Sequence, residues 1–272
     1  MGERGQDWLR TSIGSATADS ITVAGRDLSR EVMGEMTFTD LAFLLAAGRP
    51  PGEGEAKLLD AVLVSLADHG LTPTALAARL TYTGAPEALQ GAVAAGLLGA
   101  GSVFLGPVED TARFLAGILA SLPADRRTDG DLQPAAREAV RQAVAAGARV
   151  PGLGHPIHKR VDPRTPRLYE LARETGVAGP HLRLLELVAA EHRAAAGKAL
   201  PINGAGAAGA ALADLGFEPS LARGFALLAR TAGLIGHLAE EADHPIGMRL
   251  WRELDRRASA AAEAGEDGHG GP

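Results

Sequence analysis

The sequence predicts a mostly α-helical protein. Aromatic residues make up only 4% of the chain, alanine is abundant, and 35 glycines are present. Alanine is the best helix former, and small residues let helices approach closely. Alternating β-branched runs, the mark of strands, are few. With 46% hydrophobic residues in 272, the chain can bury a full core.

The elements follow in order. Two short extended runs, residues 11–13 and 20–24, punctuated by Gly14 and Gly25, predict a short N-terminal β-hairpin. From Thr37 the period becomes helical. Asp40 follows three residues later, a capping-box pattern, and Leu41, Leu44 and Leu45 supply the apolar face. Gly48 and the prolines after it end that helix. Residues 57–67 are amphipathic and stop before His69-Gly70, and Thr72-Pro73 reads as an N-cap with proline at the first helical position. Helices are expected over residues 87–99, 107–122 and 134–148, with a loop over 121–133. Further helices are expected over 166–175, 180–196, 207–215, 219–228, 231–241 and 245–260. Residues 259–272, rich in Ala, Glu, Gly and Asp, read as a disordered tail after a domain spanning 1–258.

Composition excludes several function classes. The net charge is −6 with acids and bases mixed along the chain, and no basic block asks for a nucleic-acid partner. The absence of cysteine rules out disulfides, thiolate catalysis and cysteine-ligated metals. No run of about 18 apolar residues predicts a membrane span. The N-terminus is polar, and a cytoplasmic location is expected.

The most informative stretch is residues 152–164, Gly-Leu-Gly-His-Pro-Ile-His-Lys-Arg-Val-Asp-Pro-Arg. It places His155 and His158 on a loop punctuated by glycine and proline, with Lys159, Arg160 and Arg164 close behind. Histidine exchanges protons near neutrality, and neighbouring cations suit an anionic substrate. One histidine in a turn is most often only a satisfied polar group. Here the flanking glycines allow close approach of a ligand, which favours the functional reading. A metal at His155 and His158 would need a further ligand. The local motif offers only Asp162, so no metal is expected. Arg230 sits inside an otherwise apolar segment and must be paired, either in a structural ion pair or as a bidentate clamp on a substrate carboxylate.

The loop resembles the catalytic-histidine loop of the citrate synthase superfamily, whose pattern is Gly-aromatic-Gly-His, a basic residue, then Asp-Pro-Arg. The resemblance covers most of the chain. Residues 21–28 are similar to a Tyr-Arg-Gly-x-x-Ile segment, and Phe38 to Pro51 to the helix "Phe-Glu-Glu-x-x-Tyr-Leu-Leu-x-Gly-x-Leu-Pro". Ala67-Asp-His-Gly matches an Ala-Asp-His turn whose histidine binds oxaloacetate, which His69 matches. Ala-Arg-Thr at 229–231 matches a carboxylate-binding arginine, which Arg230 matches. Size and motifs look like the short citryl-CoA lyase branch, related to the C-terminal module of ATP-citrate lyase.

The resemblance implies a citrate-synthase-like helical fold with a large and a small subdomain, the small one near residues 152–232. It implies retro-Claisen cleavage of citryl-CoA, or a related 3-hydroxyacyl-CoA, to oxaloacetate and acetyl-CoA. His155 is then expected to bind and deprotonate the tertiary hydroxyl, and Asn203 to donate to the enolate. His69, His158, Arg164 and Arg230 are expected to hold carboxylates. Gly152, Leu153, Gly154 and Lys159 are expected to meet the coenzyme A thioester, which enters as substrate, with no permanently bound cofactor. Arg249 is expected to complete a neighbouring subunit's site in a homodimer.

Two departures stand out. Phe104 occupies the place of the histidine in the superfamily's Gly-Pro-x-His-Gly-Gly run, which tilts toward a lyase. Ala205 occupies the place of the catalytic aspartate in Asn-Val-Asp-Gly, with Asn203 the nearest polar residue. Glu240 and Glu241, at helical spacing from His237, are the nearby carboxylates that could replace it. A scaffold that keeps anion and coenzyme A recognition without turnover, and a Claisen-type acyl transfer on another substrate, are the alternatives.

Overall fold

The computed structural model describes residues 11–266. The chain opens with β1 (Gly14–Ala16), β2 (Ile21–Val23) and β3 (Arg26–Asp27). Helices follow: α1 (Phe38–Ala47), α2 (Glu53–Ala67), α3 (Pro73–Gly84), α4 (Leu89–Leu98), α5 (Gly106–Ala120) and α6 (Asp129–Ala145). After the histidine loop come α7 (Arg164–Glu174), α8 (Pro180–Ala196), α9 (Gly204–Asp214), α10 (Pro219–Asp243) and α11 (Gly247–Glu266). The mostly α class is therefore as expected.

Local chemistry explains where the helices start. The Thr37 hydroxyl accepts from the Asp40 N–H, and the Asp40 carboxylate accepts from the Thr37 N–H, both at 3.1 Å. This is the reciprocal cap predicted for α1. Gly48 closes α1 with φ of +70°, a left-handed conformation that glycine adopts without steric cost. Thr72 caps α3, with Pro73 at its first position. Helix α8 begins at Pro180, and the Asp214 carboxylate at the end of α9 accepts from the N–H groups of Gly179, His181 and Leu182. A buried carboxylate thus satisfies donors that the helix start leaves open.

Several boundaries differ from expectation. The first strand lies at 14–16, so Gly14 sits within it, and β3 extends the hairpin to an antiparallel three-stranded sheet ordered β1-β2-β3. Helix α6 starts at Asp129, ahead of Pro134. The Asp131 carboxylate accepts from the Thr128 hydroxyl at 2.7 Å and from its N–H, so the cap is set before the proline is reached. The stretches 219–228 and 231–241 form one continuous helix, because no residue between them breaks the backbone ladder. Helix α11 continues through residues 259–266, where a disordered tail was expected, and residues 267–272 lie outside the described residues.

The chain divides into two compact units, one of residues 1–62 with 108–222 and the other of 63–107 with 223–272. The expected small subdomain at 152–232 is not a unit of its own. Helix α8 packs on α6, α9 packs on α8, and α7 packs on α9, which ties residues 152–222 to the helix before them. The first unit's core includes Phe43, Leu58, Leu115, Leu132, Leu184, Leu185 and Leu212, all fully buried or nearly so. Burying a leucine of this kind is worth about 1.5–3 kcal/mol. In the second unit, Ala78, Ala92, Leu234 and Leu238 form a core covered by Tyr82, Val93 and Leu97. Gly96 is needed there, since a Cβ would come within 2.7 Å of Leu234.

Candidate functional site

In the first unit, the histidine loop is fastened to the start of α9. Leu153 and Ile202 form an antiparallel bridge. The Asn203 N–H donates to the Gly152 carbonyl at 2.9 Å, and the Gly154 N–H donates to the Pro201 carbonyl at 2.8 Å. Gly152 and Gly154 both have positive φ, +83° and +80°. Gly206 meets Gly152 so closely that a Cβ would lie 2.5 Å from its Cα. The glycines on both sides are therefore required by backbone-to-backbone contact.

Asn203 is the N-cap of α9. Its side-chain carbonyl accepts from the Gly206 N–H at 2.7 Å, and its amide donates to the Gly154 carbonyl at 2.8 Å. One side chain thus links helix and loop. The Gly204 N–H goes to Asp162 at 2.7 Å. The N–H groups of Gly154, Gly204 and Gly206 are accordingly committed to the fold.

Asp162 is fully buried and accepts from the Arg164 N–H at 3.2 Å, from Arg164 Nε at 3.0 Å, from its terminal nitrogen at 2.8 Å, and from Gly204. Burial pushes its carboxyl up, but the Arg164 guanidinium and the Gly204 N–H override it and hold Asp162 well below the usual carboxylate range. Arg164 begins α7, is partly exposed, and is oriented by this bidentate pair. Gly204 leaves room for it, since a Cβ there would fall 2.3 Å from Arg164 Nε.

His155 is half-buried. Its Nδ1 accepts from the N–H groups of Ile157 and His158 at 3.1 and 3.0 Å. A ring nitrogen that accepts carries a lone pair, so the neutral ring bears its proton on Nε2. His155 is therefore a donor at Nε2. In this tautomer the lone pair is on Nδ1 and the proton on Nε2. The His158 ring stacks on it with centroids 4.4 Å apart. Lys159 reaches back to the His155 carbonyl at 3.2 Å and holds the loop closed, while remaining exposed.

In the second unit, Arg230 is 6% exposed and donates to the Leu66 carbonyl at the end of α2 at 3.2 Å. Its guanidinium is 3.9 Å from Asp68, next to His69. The Asp68 carboxylate accepts from the Gly70 N–H at 2.7 Å and contacts His237 Nε2 at 2.9 Å. Partial burial raises its pKa, but Gly70, His237 and the His69 N–H together hold it below its ordinary value. Sequence reasoning noted Arg230 and His69 but missed Asp68 and Arg79. Glu241 is buried and does structural work. It accepts from Arg79 at 3.0 Å and from the Ile246 and Gly247 N–H groups at the start of α11. Glu240 is exposed and pairs with Arg79. Arg249 is exposed in the first turn of α11. Ala205 is half-buried in the first turn of α9, and Phe104 is 41% exposed ahead of α5.

Comparisons with known proteins show the family to which this fold belongs. Residues 16–253 match the family model for the citrate synthase C-terminal domain. Citryl-CoA lyase from Hydrogenobacter thermophilus has a similar structure, with a TM-score of 0.76 and 32% identity, over 85% of this chain and 86% of that one. ATP citrate lyase from Methanothrix soehngenii, solved with citrate and coenzyme A, shares the fold at a TM-score of 0.71 and 23% identity, over 86% of this chain and 39% of that one. The citrate synthase of Haloferax volcanii is 27% identical over 195 residues, 71% of this chain and 48% of that protein. The chain thus spans about half the length of that curated relative. Its helical fold, its histidine loop and the reach of these matches place the chain in the citrate synthase family.

Proposed function

We propose that the chain cleaves citryl-CoA, or a related 3-hydroxyacyl-CoA, to oxaloacetate and acetyl-CoA. The observation that carries this reading is His155, whose Nδ1 is occupied by two backbone donors so that Nε2–H is the face it offers a substrate oxygen. The 32% identity to a citryl-CoA lyase supports the substrate class. Fold alone would not supply it.

The reaction balances without a cofactor. The bond between the carbinol carbon and the thioester α-carbon breaks, and its electron pair becomes the thioester enolate. The hydroxyl oxygen becomes the oxo-acid carbonyl as it loses its proton, and the enolate gains one at carbon. In this scheme His155 Nε2–H stabilises the oxygen while negative charge is on it, a donor placed in advance where charge develops. Another group accepts the hydroxyl proton. Asp162 is unsuited to that task, because its carboxylate is already filled by Arg164 and Gly204.

Arg164 and Arg230 are the carboxylate clamps of this reading, with His69 and His158 orienting the oxo acid. Lys159 and the 152–154 loop meet coenzyme A, with Asn203 holding that loop. Arg249 serves a neighbouring subunit. A homodimer is supported by apolar side chains left exposed on the second unit, Leu89, Leu98 and Ile235 together with Trp251 and Leu254 on α11. Light scattering checks it, and a monomer at micromolar concentration would remove the role for Arg249. Among the described residues no helix is long and apolar enough to cross a membrane.

The deciding experiment incubates the purified protein with citryl-CoA and follows oxaloacetate through malate dehydrogenase and NADH. The expected result is turnover that drops about a hundred- to a thousandfold in His155→Ala, the scale of losing one donor to a developing oxyanion. Unchanged turnover in that variant would overturn the role of His155. A second reading, a scaffold that binds without turnover, is favoured by Ala205, which leaves no carboxylate in the first turn of α9. Measurable binding of coenzyme A or citrate with no product from any thioester would establish that reading instead.

A further inference from the structure

The second unit contains a chain of side chains that the proposed chemistry does not use. Arg79, on α3, is 2% exposed. Its Nε and one terminal nitrogen lie 3.2 and 3.1 Å from His237 Nδ1. Its other terminal nitrogen donates to Glu241 at 3.0 Å, and Glu240 completes the pairing. On the far side of the ring, His237 Nε2 is 2.9 Å from Asp68. Arg230 approaches the same Asp68 oxygen at 3.9 Å.

The protonation of this array follows from its donors. A guanidinium can only donate. His237 Nδ1 must therefore accept, which places the ring proton on Nε2, facing Asp68. Usually a carboxylate orients an imidazole and favours its cationic form. Here a cation orients it instead, and the ring meets Asp68 as a neutral donor. That distinction matters for Arg230. A cationic His237 would compete for the Asp68 charge, whereas a neutral one leaves that charge to the arginine.

We infer that His237 is a positioning residue: locked by Arg79 as the Nε2–H tautomer, it holds Asp68 so that Asp68 fixes the 68–70 turn carrying His69 and orients the Arg230 guanidinium for a substrate carboxylate. The array is anchored at its other end, since Glu241 holds both Arg79 and the N-terminus of α11. The carboxylate ligand rests on the citryl-CoA reading. The tautomer and the placement of Asp68 do not.

Two measurements on the full chain separate these layers. The first needs no substrate. Nitrogen-15 spectra of the histidine rings should show His237 with a protonated Nε2 and a bare Nδ1. The Gly70 amide, which donates to Asp68, should shift strongly in His237→Leu and little in His237→Gln, whose side-chain amide can still donate to Asp68. A proton on Nδ1, or a Gly70 amide indifferent to His237→Leu, would overturn the inference. The second measurement is oxaloacetate binding by calorimetry. The expected result is affinity about tenfold weaker in His237→Leu and within about twofold of the parent in His237→Gln, the scale of one lost hydrogen bond to a charged group. Equal weakening in both variants would reduce His237 to a packing role and overturn the inference. If the parent protein binds no oxaloacetate, the citryl-CoA reading fails alone, and the Gly70 amide still decides whether His237 places Asp68.

Discussion

The histidine loop and the Arg230 cluster are both polar sites built on helix ends, but they are assembled differently. The loop is held by residues 42 to 49 positions away, and mostly by backbone. Asn203, Gly204 and Gly206 meet the segment 152–164 through main-chain groups, and one buried carboxylate, Asp162, gathers four donors. The Arg230 cluster is held by side chains from distant parts of the chain, with His237 separated from Arg79 and Asp68 by 158 and 169 positions. A backbone-built site tolerates little change in shape. A site built from side chains tolerates changes in shape but not in charge and hydrogen bonding.

The largest effect that tests this contrast should come from Asp162→Ala. It removes a fully buried carboxylate and leaves the Gly204 N–H without this acceptor and Arg164 without this bidentate pairing. Removing one partner of a buried pair costs roughly 3–5 kcal/mol, and the partial exposure of Arg164 brings the expectation to about 2–4 kcal/mol. Urea unfolding measures it. A loss below about 1 kcal/mol would mean that the loop does not depend on its buried carboxylate.

A pair of glycine substitutions separates backbone from side-chain contact. Gly206→Ala would press a methyl group against Gly152 Cα, where neither chain can move aside, and is expected to cost about 1–3 kcal/mol. Gly204→Ala meets the Arg164 guanidinium first, a side-chain end that can swing away. Its expected stability loss is smaller, while citrate affinity falls because Arg164 leaves its oriented position. Equal stability losses would show that Arg164 is as immobile as the backbone.

Acid should reveal both sites through their carboxylates. Asp162 and Glu241 are held below their ordinary values by the donors around them. A group whose folded pKa is depressed stabilises the fold above its unfolded value, and that stability is lost as pH falls through the folded value. Stability should therefore decline below about pH 4. Asp162→Asn should flatten that decline even as it lowers stability at neutral pH. A pH profile parallel to that of the parent would remove Asp162 from the acid response.

Much of this was legible in the sequence wherever chemistry is local. Thr37 with Asp40, Thr72 with Pro73, and Pro180 each announce a helix start, because a cap is made by residues a few positions apart. The histidine loop was legible for the same reason, with its glycines, histidines and Asp162 contiguous. Pro134 misled, because the Thr128 and Asp131 cap starts the helix ahead of it and the helix runs on through the proline. The continuity of α10 across Arg230 was missed, although neither Ala229 nor Arg230 breaks a helix. The Arg230 partners, Asp68 and Leu66, come from another helix end. The Arg79–His237–Asp68 array has no local signature at all. Glu241, chosen from spacing as a replacement base, was found instead to cap α11.

The smallest expected effect concerns Ala205. It lies in the first turn of α9, directly after the Asn203 cap, where the helix N-terminus favours negative charge. Ala205→Asp should therefore be tolerated and should stabilise the protein by about 0.5 kcal/mol, within the range for a carboxylate at a helix start. Its larger consequence is chemical. The variant restores a carboxylate where the resemblance puts the group that moves a proton at the acyl α-carbon. Exchange of the acetyl-CoA α-hydrogens with deuterated water should rise at least about a hundredfold, the lower end of what a positioned general base contributes. If exchange stays at the parent level while the fold is intact, proton transfer at carbon is served by a group away from α9. The backbone-built loop would then be a device for holding the oxygen end of the substrate alone.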